Sequence, residues 1–246
     1  MELPHSDEIV GLFIEAYTHL EQFVLPGGFR KDLVGLPHLR FHGVDNDVAD
    51  EFIVSGLTPE ETFARIQAGA PGLPHYLTVL TKDARACRLA YRGLGYRHSE
   101  SHSLMARLLD ASSLFAPDPR VRLASGPEEL EMINGARGRP VFHPDQSRDA
   151  DMLVAYIQGE DLPVSWGASW LIRPDAAYIA NMFTQPENRR CGLASAVLAT
   201  LLYLSAQRGV RWSLLAASLE GQSLYRSLGY QDQLACEVFV LDREGG

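Results

Sequence analysis

The sequence predicts an α/β protein made of two similarly ordered halves. Two observations carry that prediction. Short apolar or β-branched runs alternate with longer stretches of helical spacing along most of the chain. One six-residue segment also occurs twice, as Tyr91-Arg92-Gly93-Leu94-Gly95-Tyr96 and as Tyr225-Arg226-Ser227-Leu228-Gly229-Tyr230. A strand-like run precedes each copy, a short helical stretch leads into it and another strand-like run follows. A duplicated unit is the expectation from such a match. The polar stretch from Ser112 to Arg120, with Pro117 and Pro119, is the expected linker, which sets the halves at 1–115 and 119–246.

Composition narrows the possibilities. A chain of 246 residues can bury one large core or two ordinary ones. The formal charge of −9, with no basic block, argues against nucleic acid as a partner. It is compatible with a cationic acceptor and equally with simple solubility. Cys87, Cys191 and Cys236 are odd in number and lack paired spacing, which suggests free thiols in a reducing compartment. No apolar run reaches membrane-spanning length. The acidic start, Met1-Glu2 with Asp7 and Glu8, is unlike a secretory signal, so a cytoplasmic protein without membrane contact is expected.

In the first half, Ser6 can cap a helix with Ile9, Val10, Phe13, Ala16, Tyr17 and Leu20 on one face, ended by Leu25-Pro26-Gly27-Gly28. Phe29 to Asp47 shows little periodicity. Phe52-Ile53-Val54 reads as a strand. Thr58-Pro59-Glu60-Glu61 opens a helix that runs to about Ala68, with Thr58 as cap and Glu61 completing a capping box. Tyr76 to Leu80 is a strand, Ala84 to Leu94 a helix, and His102 to Leu109 a strand. His98 and His102 have a spacing that invites a metal reading. No third ligand joins them, and solvated strand residues are expected instead.

In the second half, Val121-Arg122-Leu123 starts a strand, and Ser125 and Glu128 frame a capping box for a helix through Met132 and Ile133. Gly135 to Asp149 is polar and contains Phe142 and His143. Met152 to Ile157 and Val164 to Ile172 are strands, with Trp166 and Trp170 on one face as core residues. Tyr178 to Thr184 is a further buried strand, and Pro186 ends it. From Leu193 onward, Ala194, Val197, Leu198, Leu201 and Leu204 follow helical spacing until Gly209.

The turn between that strand and that helix has unusual chemistry. A helix start normally carries Ser, Thr or Asp, whose side chain satisfies free backbone N–H groups. Here Arg189, Arg190, Cys191 and Gly192 precede the helix. Nothing is placed to cap, and two positive charges add to the positive end of the helix dipole. Gly192 and the small Ala194 let a ligand approach the backbone. Such a turn is expected to bind a phosphate or pyrophosphate, the plain alternative being a loop with two solvated arginines.

Pro186-Glu187-Asn188-Arg189-Arg190-Cys191-Gly192-Leu193-Ala194 resembles the pyrophosphate-binding motif of the GNAT superfamily, the acyl-CoA-dependent N-acyltransferases. That motif is Arg/Gln-x-x-Gly-x-Gly/Ala, and Arg189, Gly192 and Ala194 fill its three positions. Leu224-Tyr225-Arg226-Ser227-Leu228-Gly229-Tyr230 is similar to the family's Leu-Tyr-x-x-x-Gly-Phe/Tyr signature. The likeness covers 119–246 and is clearest after Tyr178. It implies tandem GNAT-like domains, each a mixed, mostly antiparallel sheet flanked by helices, with Leu234 to Leu241 as a closing strand.

The resemblance also implies an N-acetyltransferase that moves an acetyl group from acetyl-CoA to the primary amine of a small molecule or peptide. The cofactor would be held by Met182, Phe183, Thr184, Arg189, Arg190, Cys191, Gly192, Leu193 and Ala194. Backbone groups of Met182 and Thr184 would meet the thioester and pantetheine where the strand splays from its neighbour. Tyr225 would be the general acid for the leaving thiolate. Many relatives carry a glutamate on the strand before the turn, where this chain has Ala180 and Asn181. A water chain, a backbone carbonyl or His143 remain as bases. Cys191 lacks a visible His partner for a nucleophilic role. In the first half, Glu60 and Glu61 stand where an anion would dock, so that half is expected to lack acyl-CoA and to serve in packing and in shaping the acceptor site. A monomer or homodimer fits, and a catalytically silent acyl-CoA-binding or regulatory module is the alternative function.

Overall fold

The computed structural model describes residues 5–24, 29–42, 48–110, 114 and 116–241. The expected helix stop at Leu25 to Gly28 and part of the expected linker lie outside them. The first half forms α1 (Ser6–Val24), β1 (Phe29–Leu33), β2 (Leu36–His42), β3 (Val48–Ser55), α2 (Pro59–Gly69), β4 (His75–Thr81), α3 (Ala84–Gly93) and β5 (Arg97–Leu108). The second half forms β6 (Val121–Leu123), α4 (Pro127–Arg137), β7 (Met152–Gln158), β8 (Pro163–Arg173), β9 (Ala176–Thr184), α5 (Leu193–Gln207), β10 (Trp212–Ser218), α6 (Gln222–Ser227) and β11 (Gln231–Leu241). Among the described residues no helix is long and apolar enough to cross a membrane.

Two compact units result, and they interleave along the chain. The N-terminal unit holds Ser6–Met105, Ala216–Glu220 and the chain from Asp232 on; the C-terminal unit holds Ala106–Leu215 and Gly221–Gln231. Boundaries at 115 and 119 divide the sequence, but β11 does not stay with the half that encodes it. It runs antiparallel to β4, with Ala235 opposite Thr81 and Leu241 opposite His75. The closing strand of the second half is therefore a strand of the N-terminal sheet, whose order is β1-β2-β3-β4-β11-β5.

The N-terminal core gathers Phe52, Val54, Ile66, Leu77, Tyr91, Tyr96 and Phe239. Phe239 comes from β11 and lies 4.9 Å from the Tyr91 ring. The unpatterned Phe29 to Asp47 stretch supplies β1 and β2 as a hairpin. Its turn residues, Val34 and Gly35, have φ of 52° and 75°, the backbone of a two-residue turn that matches strand twist. Pro37 and a β-branched residue in the turn hide this hairpin from sequence reasoning.

Charges are buried here, and they are paired. Glu237 on β11 accepts from Arg88 (2.9 Å), from Ser101 (2.8 Å) and is bonded to the His98 ring (2.7 Å). His98 is thus anchored to a buried carboxylate, not simply solvated as its strand position suggests. Glu51 accepts from Thr78 and, at 3.1 Å, from Tyr17. Burial raises its pKa above the usual carboxylate range.

The C-terminal sheet has the order β10-β9-β8-β7-β6. Leu130, Ile133, Phe142, Tyr156 and Trp166 form its core against α4. Trp166 and Trp170 are both buried, as their shared strand face predicts. The α4 start differs from expectation by one residue. Glu129, not Glu128, turns back to accept from the N–H groups of Gly126 (2.8 Å) and Ser125 (3.3 Å). Pro127 moves the first helical position onward, since it needs no partner there.

The repeated segment folds the same way twice. Tyr96 donates its N–H to the Tyr91 carbonyl at 3.1 Å, and Tyr230 does so to the Tyr225 carbonyl at 3.1 Å. Gly95 and Gly229 take φ of 90° and 83° between them, which only glycine adopts freely. The ring pairs Tyr91–Tyr96 and Tyr225–Tyr230 are edge-on at 5.6 and 5.9 Å.

Candidate functional site

The basic turn leaves the end of β9 and enters α5 by a short 3-10 turn, Pro186–Asn188. Arg190 and Gly192 both have positive φ, 61° and 76°. Gly192 is the N-cap residue of α5, and no side chain caps the helix. The first intrahelical bond runs from Ala196 N–H to the Gly192 carbonyl at 3.0 Å. The N–H groups of Leu193, Ala194 and Ser195 therefore precede the ladder, with the dipole behind them. A Cβ built on Gly192 would meet nothing within 4 Å. Its role is conformational, and the space above the turn is open.

The corresponding start of α2 is closed. The Thr58 hydroxyl accepts from Glu61 N–H at 3.2 Å, and the Glu61 carboxylate accepts from Thr58 N–H at 2.9 Å. Pro59 removes a further N–H. One helix satisfies its own terminus, and the other has no side chain to do so.

The strands before the two turns also differ. β3 and β4 are parallel and paired from Asp50↔His75 through Ser55↔Leu80. The parallel register of β9 with β10 covers only Ala176↔Trp212 through Tyr178↔Leu214, although β9 continues to Thr184. The edge of β9 facing β10 is thereby released next to the basic turn, over the residues expected to meet pantetheine.

On its other edge β9 bulges. Ala180 pairs with Ala168 and Phe183 with Trp166, so Asn181 and Met182 together stand opposite Gly167. Asn181 has φ 55°, a conformation its short polar side chain tolerates. A Cβ on Gly167 would lie 2.1 Å from the Met182 sulfur. The glycine makes room for the thioether where the bulge turns it. An isolated glycine inside a strand is the sequence signal for such a feature, and it was there to be read in Gly167.

Asn181 also ties the bulge to the neighbouring loop, donating to the Val141 carbonyl at 3.3 Å. Asn134 on α4 holds the same loop from the other side. It accepts from the N–H groups of Val141 (2.8 Å) and Phe142 (2.9 Å) and donates to the Phe142 carbonyl (2.7 Å). Gln185 donates to the Ala136 carbonyl at 2.7 Å. Sequence reasoning does not single out Asn134, Gln185 or Arg137, because nothing in their local pattern marks them.

Phe183 gathers the cations. The Arg137 guanidinium sits 4.1 Å from its ring centroid and that of Arg189 5.8 Å. Arg189 also donates to the Thr184 carbonyl at 3.2 Å. Cys191 is exposed, and its thiol donates to the Arg189 carbonyl at 3.5 Å. Met182, Phe183 and Thr184, like Leu193 and Ala194, are partly exposed, and Arg189 through Gly192 are exposed.

Tyr225 belongs to the same unit, in α6. It is 8% exposed, and burial pushes its pKa up to about 12 from the ordinary phenol value. His143 caps the 3-10 turn Pro144–Arg148, accepting from Asp145 N–H at 3.3 Å while its own N–H donates to Gln146 at 2.7 Å. It is a loop residue in this structure. Among the described residues no group of three His, Cys, Asp or Glu could hold a metal ion.

Residues 148–232 match the model of an acetyltransferase (GNAT) domain. None of the curated proteins compared with the chain matches it. Among solved structures, a GCN5-related N-acetyltransferase from Kribbella flavida aligns over 100% of this chain and 98% of its own, with a TM-score of 0.67 and 17% identity. One from Sphaerobacter thermophilus aligns over 86% of this chain and 78% of its own, with a TM-score of 0.60 and 14% identity. A tandem GNAT protein from the clavulanic acid biosynthesis pathway covers 98% of this chain and 97% of its own, at a TM-score of 0.53 and 11% identity. The second half of the chain thus carries a match to the GNAT domain model, and the fold of these acetyltransferase structures is shared along its whole length.

Proposed function

We propose that the protein is an acetyl-CoA-dependent N-acetyltransferase whose C-terminal unit binds the cofactor and whose acceptor is a primary amine. The uncapped start of α5 carries this reading. Three N–H groups and a helix dipole face open space in a turn that also carries the charges of Arg189 and Arg190, which suits a pyrophosphate. The free edge of β9 next to the turn suits an extended chain with amides, because strand N–H and C=O groups need partners.

Bound acetyl-CoA would supply a thioester whose carbonyl carbon accepts the amine nitrogen, with the C–N bond forming as the C–S bond breaks. The chain's own residues would orient and protonate. Met182 and Thr184 offer backbone groups along the free edge. The bulge at Asn181 and Met182 turns the strand at the place where the acyl group would lie. Tyr225 would give its proton to the departing thiolate and recover one from water. No carboxylate occurs in β9, so the proton lost by the amine would leave through water.

The test is charge reversal at the turn. Acetyl-CoA should raise the melting temperature of the wild-type chain. Replacing both Arg189 and Arg190 with Glu should abolish that shift and weaken binding by on the order of 10²-fold, as two attractions become repulsions at a helix N-terminus. Unchanged affinity would sink the assignment. Binding of acetyl-CoA without thiol release in the presence of any primary amine would favour the silent acyl-CoA-binding module.

A further inference from the structure

We infer that the N-terminal unit carries a second small-molecule site, selective for an uncharged or cationic compound with an apolar body and one hydrogen-bond acceptor. A cavity of about 480 Å³ opens at the carboxyl ends of the parallel strands β3 and β4, between them and α3. That volume suits a small organic molecule, and strand carboxyl ends are where parallel α/β sheets take ligands. All its walls come from the N-terminal unit.

The lining divides by chemistry. Val54, Leu57, Val79, Leu80, Ala90 and Leu234 supply apolar surface. Tyr91 supplies the one buried polar group that lacks a use. It is 1% exposed, lines the cavity, and its hydroxyl has no hydrogen-bond partner. Thr62 stands near that hydroxyl but does not meet hydrogen-bond geometry with it, and its own hydroxyl donates to the Thr58 carbonyl at 2.9 Å. A buried phenol without an acceptor costs free energy that a ligand oxygen would recover. Burial pushes the Tyr91 pKa up to about 12, so the group is a neutral donor and asks for a carbonyl or ether oxygen.

Anions are disfavoured. Asp7 and Asp83 stand at the rim against one cation, Lys82. The adjacent α2 start is self-capped and carries Glu60 and Glu61. The Asp83 carboxylate in turn caps α3, accepting from Ala86 N–H at 2.9 Å. Of the three helix starts that line this cavity, those of α2 and α3 are closed to phosphate by their caps, and that of α1 carries Asp7 and Glu8.

N-benzylacetamide is a suitable probe, having a ring for the apolar walls and an amide oxygen for Tyr91. Titrated into the full-length ¹⁵N-labelled protein, it should bind saturably with a dissociation constant on the order of 1 mM, as expected for a fragment of this size. Resonances of Ser55 to Leu57 and Thr81 to Asp83 should shift, with or without saturating CoA. Phenylacetate and benzyl phosphate, which have the same ring and a negative charge, should not produce these shifts. Ala90→Phe, which fills the cavity, should abolish saturable binding. Tyr91→Phe, which keeps the ring packing, should weaken it by about 3- to 10-fold. The inference fails if those resonances do not respond, if binding is the same in wild type and both variants, or if benzyl phosphate binds as well as the amide. The Arg189→Glu, Arg190→Glu variant should bind the probe normally, so failure of the cofactor assignment would leave this test intact.

Discussion

Cys191, Cys87 and Cys236 are three thiols in three environments. Cys191 is exposed in the basic turn, while the other two are buried. Burial pushes the Cys87 thiol up to about 11 and raises Cys236 further still. Only a thiolate reacts well, so iodoacetamide should label Cys191 first and leave the buried pair largely unmodified in the folded protein. Acetyl-CoA at millimolar concentration should slow labelling of Cys191 by tenfold or more, about the occupancy of a site well above its dissociation constant. Peptide mapping after timed alkylation measures both effects. Equal labelling with and without acetyl-CoA would place the cofactor elsewhere. Tyr225 is the second residue whose role can be isolated. Tyr225→Phe keeps the edge-on packing with Tyr230 and removes one proton. Turnover should fall by on the order of 10²-fold with little change in acetyl-CoA affinity. With the phenol pushed up to about 12, the wild-type rate should not lose this acid through neutral and mildly alkaline pH. Unimpaired turnover in the variant would mean that the thiolate takes its proton from water.

The bulge of β9 depends on a glycine in another strand. Gly167→Ala would put a methyl group where the Met182 sulfur lies, 2.1 Å from it. The thioether must leave its rotamer or the bulge must shift. We expect a stability loss of about 1–3 kcal/mol in denaturant unfolding, typical of overpacking. On the proposed reading, in which Met182 meets the cofactor, the KM for acetyl-CoA should rise more than kcat falls. Adding Met182→Ala should recover part of the lost stability, since the two side chains compete for one space. Strict additivity of the two substitutions would show that the clash is relieved some other way. The contrast between α2 and α5 belongs to this scale too. Each follows a strand in the same place of the repeat, and their first turns differ in whether a side chain satisfies the backbone.

For the whole molecule, the interleaving of the units matters most. β11 is encoded last but pairs with β4, and it brings Phe239 and Glu237 into the N-terminal core. Fragments cut at the sequence boundary should therefore fail to fold separately. The 1–115 fragment would expose the edge of β4 and leave Arg88 and His98 without their buried carboxylate. Expressed alone, it should show no cooperative unfolding by circular dichroism. Coexpressed with 119–246, the two should copurify as a folded complex. A cooperative transition in isolated 1–115 would show that β11 is dispensable to that unit.

Sequence alone determined what depends on neighbours a few residues apart. Tyr-Arg-x-Leu-Gly-Tyr fixes a helix end by a positive-φ glycine, so the duplication was legible in six residues. Thr58 to Glu61 specifies a capped helix and Arg189 to Ala194 an uncapped basic one, because caps and dipoles act within one turn. Trp166 and Trp170 declared a buried face by strand alternation. The tertiary structure decided whatever depends on residues far apart in the chain. Strand pairing is set by sheet edges and packing, which local pattern does not encode, so β11 could be read as a strand but not assigned its sheet. The Asn134 and Asn181 bonds to the Val141–Phe142 loop, the Arg137 contact with Phe183 and the cavity beside Tyr91 arise only when separate elements meet. Their side chains look ordinary in sequence, because the chemistry that distinguishes them is supplied by partners on other elements of the fold.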